Sequence, residues 1–267
     1  MIVRSALNED KNAIRALWHD CFQDPYEYIY FYLENRFDPE TCVLLEDENE
    51  IIGMVHLLRC AIYPNQKAFY WYAAGIHSKR RNEGLFRKFT EYLVLETKKR
   101  GFCNICVPAP GLENFYRSIG FENQYSVSDK VFFRTKESRI SSDEVTSSFF
   151  LPAAPNSFLG NFRKGDAVWD EAAIRYAIDE NLYCEGKALK CKIDKNEFSF
   201  FAIKKEDGFL IDYHNLPKKA FLEIKDALFD ELTCDRLIFR TVGNQKILGL
   251  SDSNLVDRES KISFALA

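Results

Sequence analysis

The stretch of the chain with the clearest chemistry is Ala73-Ala74-Gly75-Ile76-His77-Ser78-Lys79-Arg80-Arg81-Asn82-Glu83-Gly84-Leu85-Phe86-Arg87-Lys88-Phe89. It reads as a strand, a short loop and the start of a helix. Arg81-x-x-Gly84 falls where loop becomes helix, so several backbone N–H groups there lack intrahelical partners. Those donors, the positive end of the helix dipole and the Arg81 guanidinium together make an anion site. Gly84 lets the main chain approach a bulky phosphate. Taken alone, the segment is better read as a helix N-terminus capped by a solvated basic loop, because short motifs recur by chance.

Other residue types that do chemistry are sparse. Of eight cysteines only Cys103-x-x-Cys106 forms a close pair, and there are four histidines. A structural zinc site normally needs two such pairs, and a thioredoxin-like pair opens a helix. Residues 102–107 look instead like a buried strand, so reduced core thiols and no metal are expected. His56 and His77 are candidates for a general base because imidazole titrates near neutrality. A lone histidine in a strand is more often structural, and the base is left unassigned.

The elements that must position these groups follow from hydrophobic spacing. A short strand at 1–6 is followed by a helix over 10–22 with Ile14, Leu17, Trp18 and Cys21 at helical spacing. Pro25 suits the first turn of a second, aromatic-rich helix that carries Tyr26, Tyr28, Tyr30, Phe31, Tyr32 and Leu33. That helix is expected either to pack on the core while covering a cavity or, at least as readily, simply to fill the core. A hairpin (42–45 and 51–60), a strand over 66–76, an amphipathic helix over 84–99 and a strand over 102–107 come next. The helix buries Leu85, Phe89, Tyr92 and Leu93 on one stripe. A short helix at 112–118 ends at Gly120, and 121–135 suggests a strand pair.

Residues 137–161, dense in Ser, Pro and Asn, read as a linker. Beyond it a helix over 169–183, a hairpin turning at Asp207-Gly208, a helix over 218–232 and strands at 237–241 and 262–266 partly repeat the first half. The expected fold class is α/β (α+β), a mixed central sheet flanked by helices and followed by a smaller α/β half. The expected domains are 1–136 and 162–267.

Composition narrows the function classes. The 267 residues carry 36 basic and 40 acidic side chains, a net charge of −4, and the only tight basic cluster is Lys79-Arg80-Arg81. Nucleic-acid binding is therefore not expected. No run nears the ~18 apolar residues of a membrane span, and residues 1–5 lack the apolar core of a signal peptide. The chain reads as cytoplasmic, with no membrane partner.

About thirty residues after the loop, beyond one helix and one strand, comes Asn114-Phe115-Tyr116-Arg117-Ser118-Ile119-Gly120-Phe121. With both segments in place, residues 1 to about 136 resemble the GNAT acyltransferases, which use acetyl-CoA to acylate amines. Their pyrophosphate loop reads Arg/Gln-x-x-Gly-x-Gly/Ala, and downstream they carry Phe-Tyr-x-x-x-Gly-Phe. Two departures stand out. Phe86 occupies the position where the family usually has Gly or Ala, and Val107-Pro108-Ala109-Pro110-Gly111 fills the turn where an Asn is usual.

The resemblance implies a direct transfer of an acetyl group from acetyl-CoA, as cosubstrate, to a primary amine on a small molecule or peptide. Pantetheine would lie along the strand ending at Gly75-Ile76-His77. The pyrophosphate would rest on Arg81 and the amides of Asn82, Glu83, Gly84, Leu85, Phe86 and Arg87. Tyr116 would donate a proton to the departing thiolate, and a backbone N–H near Gly75 or Ile76 would hold the thioester oxygen. The second half lacks both motifs and is not expected to bind the cosubstrate. In this it resembles larger tandem acetyltransferases, including aminoglycoside-modifying ones. The alternatives are an acyl-CoA-binding or sensing module without catalysis and, less in keeping with the acidic balance, an aminoacyl transferase using charged tRNA. Acceptor identity and oligomeric state are not readable from these residues.

Overall fold

The computed structural model describes residues 1–135, 150–213 and 216–262. The expected linker residues 137–149, His214, Asn215 and positions 263–266 of the last expected strand lie outside the described residues.

Described elements run in the order β1 (Ile2–Ser5), α1 (Lys11–Phe22), α2 (Tyr26–Asn35), β2 (Cys42–Asp47), β3 (Glu50–Ile62), β4 (Gln66–Ile76), α3 (Leu85–Lys99), β5 (Cys103–Cys106), α4 (Glu113–Ser118) and β6 (Asn123–Phe133). Then follow β7 (Phe150–Pro152), β8 (Ala167–Val168), α5 (Glu171–Tyr183), β9 (Lys187–Ile193), β10 (Asn196–Lys205), β11 (Gly208–Tyr213), α6 (Lys218–Glu231), β12 (Arg236–Val242) and β13 (Lys246–Ser251). The fold is α/β with mixed sheets flanked by helices.

The chain divides into two compact units, residues 1–124 with 248–257, and residues 125–247 with 258–267. The first expected domain ended at 136 and did not include the return of 248–257. Nor is the whole of 137–161 unstructured linker, since β7 and a 3₁₀ turn at Pro155–Phe158 lie within it.

In the first unit β1 to β4 pair antiparallel in chain order. β4 pairs β5 in parallel, and β13 pairs the far side of β5 antiparallel. Trp18, Tyr32, Phe69, Tyr70, Phe89 and Phe121 are almost wholly buried. α3 buries Leu85, Phe89, Leu93 and Val94, whereas Tyr92, expected inside, is exposed: the helix packs on its 85–89–93 ridge with Thr90 and Thr97 beside it. α2 turns Ile29, Tyr32 and Leu33 inward and leaves Tyr26 and Tyr30 exposed.

In the second unit β6 pairs β12 antiparallel, β12 pairs β11 in parallel, and β11, β10, β9 and β7 continue antiparallel. The strand pair expected over 121–135 is one strand, β6, whose Val127-to-Phe133 stretch keeps an unbroken register with β12. The core of this unit is aromatic: Phe200, Phe221, Phe229 and Phe239 are essentially inaccessible.

Candidate active site

The end of α1 builds the loop that follows β4. After Ile76, the His77 N–H donates to Ile52 O at 2.8 Å, and Ser78–Arg80 forms one 3₁₀ turn. Asp20 clamps that turn by accepting the Ser78 N–H at 2.6 Å and its hydroxyl at 2.7 Å. Partial burial alone would raise the Asp20 carboxyl, but the two Ser78 hydrogen bonds outweigh it and hold the group below its ordinary range. The Cys21 thiol donates to Ile76 O at 3.4 Å, and the Arg81 guanidinium donates to Cys21 O at 3.4 Å. Strand and helix touch so closely that a Cβ on Gly75 would sit 2.8 Å from Cys21 Sγ.

Within the loop, Arg80 is neutralised by Glu83 at 3.0 Å and Asp47 at 3.2 Å. Arg81 is left as the cation beside the helix start. Asn82 and Gly84 take left-handed backbone angles, φ 68° and 71°, which turn the chain into α3. The first hydrogen bond into that helix is Lys88 N–H to Gly84 O at 3.2 Å. The amides of Leu85, Phe86 and Arg87 have no acceptor among the described residues, and this is the donor set an anion requires.

The strand leading into this loop is open on one side. Parallel pairing of β4 with β5 runs from Ala68 opposite Cys103 to Trp71 opposite Cys106, and the remainder of β4, as far as Ile76, has no β5 partner. On the β3 side, Met54 faces Gly75 and His56 faces Tyr72, so β4 carries one extra residue. Ala73 absorbs that bulge with φ 47°. The split begins where Trp71 Nε1 donates to Asn104 Oδ1 at 2.9 Å. Asp252, whose carboxylate is inaccessible, fixes Asn104 by accepting its backbone N–H at 2.6 Å and its side-chain amide at 2.8 Å.

Tyr116 lies in α4 and is 5% exposed. Its ring meets Phe115 and Phe121 edge to face at 5.3 Å and 5.5 Å. Phe86, the residue that departs from the family pattern, stacks on Phe115 at 5.1 Å and meets Tyr116 edge-on at 6.5 Å. Arg87 lies 5.2 Å over the Phe115 ring and donates to Ser118 Oγ at 3.0 Å. The first turn of α3 is thus bolted to α4 through rings. Burial pushes the Tyr116 phenol well above its ordinary value, with Cys106 adding to the effect. The phenol is therefore a held proton at neutral pH.

The two histidines considered as bases have other duties. His56 is 1% exposed, ringed by Trp18 at 5.2 Å and Tyr32 at 5.1 Å, and burial pushes it down to about 3. His77 Nδ1 accepts the Lys79 N–H at 3.2 Å, with Asp20 at 3.5 Å. Burial raises both thiols of the Cys103-Cys106 pair, which lies in β5 and not at a helix start.

The structure brings Gly75, Ile76, His77 and residues 81–87 onto one strand–loop–helix segment, with Tyr116 reached through Phe86. Asp20, Cys21 and Asp252 support the site and were not found by sequence reasoning. Asp20 and Cys21 sit in an ordinary amphipathic helix, and Asp252 is 148 residues from Asn104, so no local signal marks them.

Comparison with known proteins agrees with this geometry. A family model described as an acetyltransferase (GNAT) domain matches residues 2–123. No curated protein gives a significant match. Among solved structures, a GCN5-related N-acetyltransferase from Anabaena variabilis is 14% identical with a TM-score of 0.66, over 94% of this chain and 70% of that one. A GCN5-related N-acetyltransferase from Kribbella flavida is 11% identical with a TM-score of 0.64, over 94% and 69%. A conserved protein of unknown function from Enterococcus faecalis is 12% identical with a TM-score of 0.66, over 94% and 72%. At these identities the structures speak to the fold alone, and they share it along nearly the whole chain. Residues 2–123, a little under half of the chain, thus match a GNAT acetyltransferase domain.

Proposed function

We propose that the chain is an acyl-CoA-dependent N-acyltransferase that moves an acetyl group from acetyl-CoA to a primary amine of a small molecule or peptide. The observation that carries this reading is the row of uncommitted amides at Leu85, Phe86 and Arg87, beside Arg81, at the end of a strand whose β5 side is open. Those amides and Arg81 suit a diphosphate, and the unpaired edge of β4 suits an extended pantetheine arm that adds as a strand would. The amine attacks the thioester carbon directly. A β4 amide near Gly75 or Ile76 stabilises the oxygen as charge grows on it, and Tyr116 gives its proton to the thiolate that leaves. The second half plays no part in holding the cosubstrate.

A second reading, binding of acyl-CoA without transfer, is favoured by one observation: both histidines considered as bases are committed elsewhere, His56 to the core and His77 to the loop turn. Incubation with acetyl-CoA and a panel of amines, monitored by free thiol, separates the two. Release of coenzyme A that requires an amine supports transfer. Calorimetric binding of acetyl-CoA with no turnover on any amine supports the second reading, and absence of binding removes both.

A further inference from the structure

The last residue of α1, Phe22, keeps its ring 42% exposed, and its place is fixed by the way the helix stops. Gln23 takes the left-handed conformation at φ 61° and returns its N–H to His19 O at 2.9 Å, which closes the final turn. Beneath that turn runs β4. Gly75 has no side chain, and a Cβ there would lie 3.4 Å from Phe22 Cε2. One edge of the ring therefore rests on the main chain at Gly75, and the ring also meets Trp18 edge to face at 6.4 Å. The remainder faces solvent.

Which face of β4 this is follows from register. Met54 and His56 on β3 stand opposite Gly75 and Tyr72, so the bulge leaves Gly75 and Tyr72 on one face. α1 covers that face, with Trp18 5.4 Å from the Tyr72 ring and Cys21 against Gly75. Trp71 points the other way: its ring meets Phe121 at 5.3 Å, and Phe121 meets Tyr116 at 5.5 Å. Tyr116 and Phe22 thus lie on opposite faces of the strand. An acid that serves the departing sulfur from one face leaves the other to the attacking amine. The charged groups at this end of α1 are turned to the loop, Asp20 accepting from Ser78 and Arg81 donating to Cys21 O. What an amine's own body meets beside Gly75 is a ring.

We infer, on the acyl-transfer reading above, that Phe22 selects the acceptor. The substrate is an arylalkylamine, a primary amine on a short chain that ends in an aromatic ring. That ring lies against Phe22 while the nitrogen reaches the thioester carbon beside Gly75. Two rings in contact bury apolar area that a plain alkylamine or a hydroxylated amine does not offer, and edge-on or offset pairing gives the contact direction. The neutral nitrogen forms the new bond to carbon, and the carbon–sulfur bond breaks. Sulfur leaves with the electron pair and takes the Tyr116 proton, while the proton shed by nitrogen passes to water, from which Tyr116 is recharged. Contact with Phe22 is the same before and during transfer, so it acts on KM more than on kcat.

The test is steady-state transfer by the full chain from acetyl-CoA to phenethylamine, tryptamine, ethylamine, ethanolamine and putrescine, followed by free thiol. The expected result is a kcat/KM for phenethylamine or tryptamine above that for ethylamine by about tenfold or more. Phe22→Ala is expected to cut that ratio by about tenfold, chiefly through KM, and Phe22→Tyr to keep it. Ethylamine serves as the internal reference, because a merely structural loss at Phe22 slows both amines alike and leaves their ratio where it was. The wild-type preference decides the matter even where Phe22→Ala fails to fold. Ethylamine, ethanolamine or putrescine used as well as the ring-bearing amines, or a ratio indifferent to Phe22→Ala, would overturn the role of Phe22 and leave acyl transfer standing. No thiol release with any amine ends the acyl-transfer reading and this one with it.

Discussion

Ring contacts fix Tyr116 more firmly than any hydrogen bond does, and this sets how its removal should read out. Tyr116→Phe keeps the edge-to-face contacts with Phe115 and Phe121 and removes only the proton. Acetyl transfer to the best amine should fall by about 10²–10⁴-fold, the usual worth of a positioned acid, while acetyl-CoA affinity stays within a few-fold. Rapid-mix thiol release and calorimetry measure the two. Phe86→Ala should act differently, because it unfastens Tyr116 from the start of α3 without touching a donor: turnover should drop more than affinity, and Phe86→Tyr should restore it. His56 gives a stability prediction. The folded imidazole is pushed down to about 3 and titrates near 6.5 when unfolded, so its contribution is complete above about pH 6.5. It is lost as pH falls from there toward 3, by up to about 1.4 kcal/mol per pH unit. Urea midpoints between pH 7 and pH 4.5 should fall less steeply in His56→Leu than in the wild type.

Among the elements, β4 carries the most consequences. Its bounds were legible because an uninterrupted aromatic and aliphatic run lies between the Tyr63-Pro64-Asn65 turn and the polar loop at Ser78. The helix after it was legible from Gly84 and the 85–89–93 spacing. What the sequence hid was contact at close range. Gly75 reads as a place for a ligand, yet the structure uses its missing side chain to admit Cys21. Gly75→Ala should destabilise the fold by about 1–3 kcal/mol, an overpacking cost, and Cys21→Ala in the same chain should return part of it. Denaturant melts of the two single variants and the double measure that coupling. The 121–135 segment misled for another reason: Ser126, Ser128 and Asp129 carry turn chemistry, but Asp129 and Thr241 make cross-strand bonds with Arg240 and Ser128 that hold β6 straight. β13 was missed because Gly249 and Ser251 break its apolar run, and its partner β5 is far away in sequence.

For the molecule as a whole, the Asp252 carboxylate closes a circuit that local patterning cannot reveal. It anchors Asn104, which anchors Trp71 at the parting of β4 and β5. Asp252→Ala leaves those buried amides and Lys98 without their acceptor, and a loss of about 3 kcal/mol is expected in a chemical melt. The same return of residues 248–257 bears on how the protein is made. A nascent chain leaving the ribosome has all of β1 to α4 in hand long before the strand that seals β5 exists. The first unit must wait, with one side of β5 bare, while the second is still being synthesised. Arrested chains ending near residue 136 should stay protease-sensitive through the first unit, and the same residues should become resistant only once synthesis has passed 257.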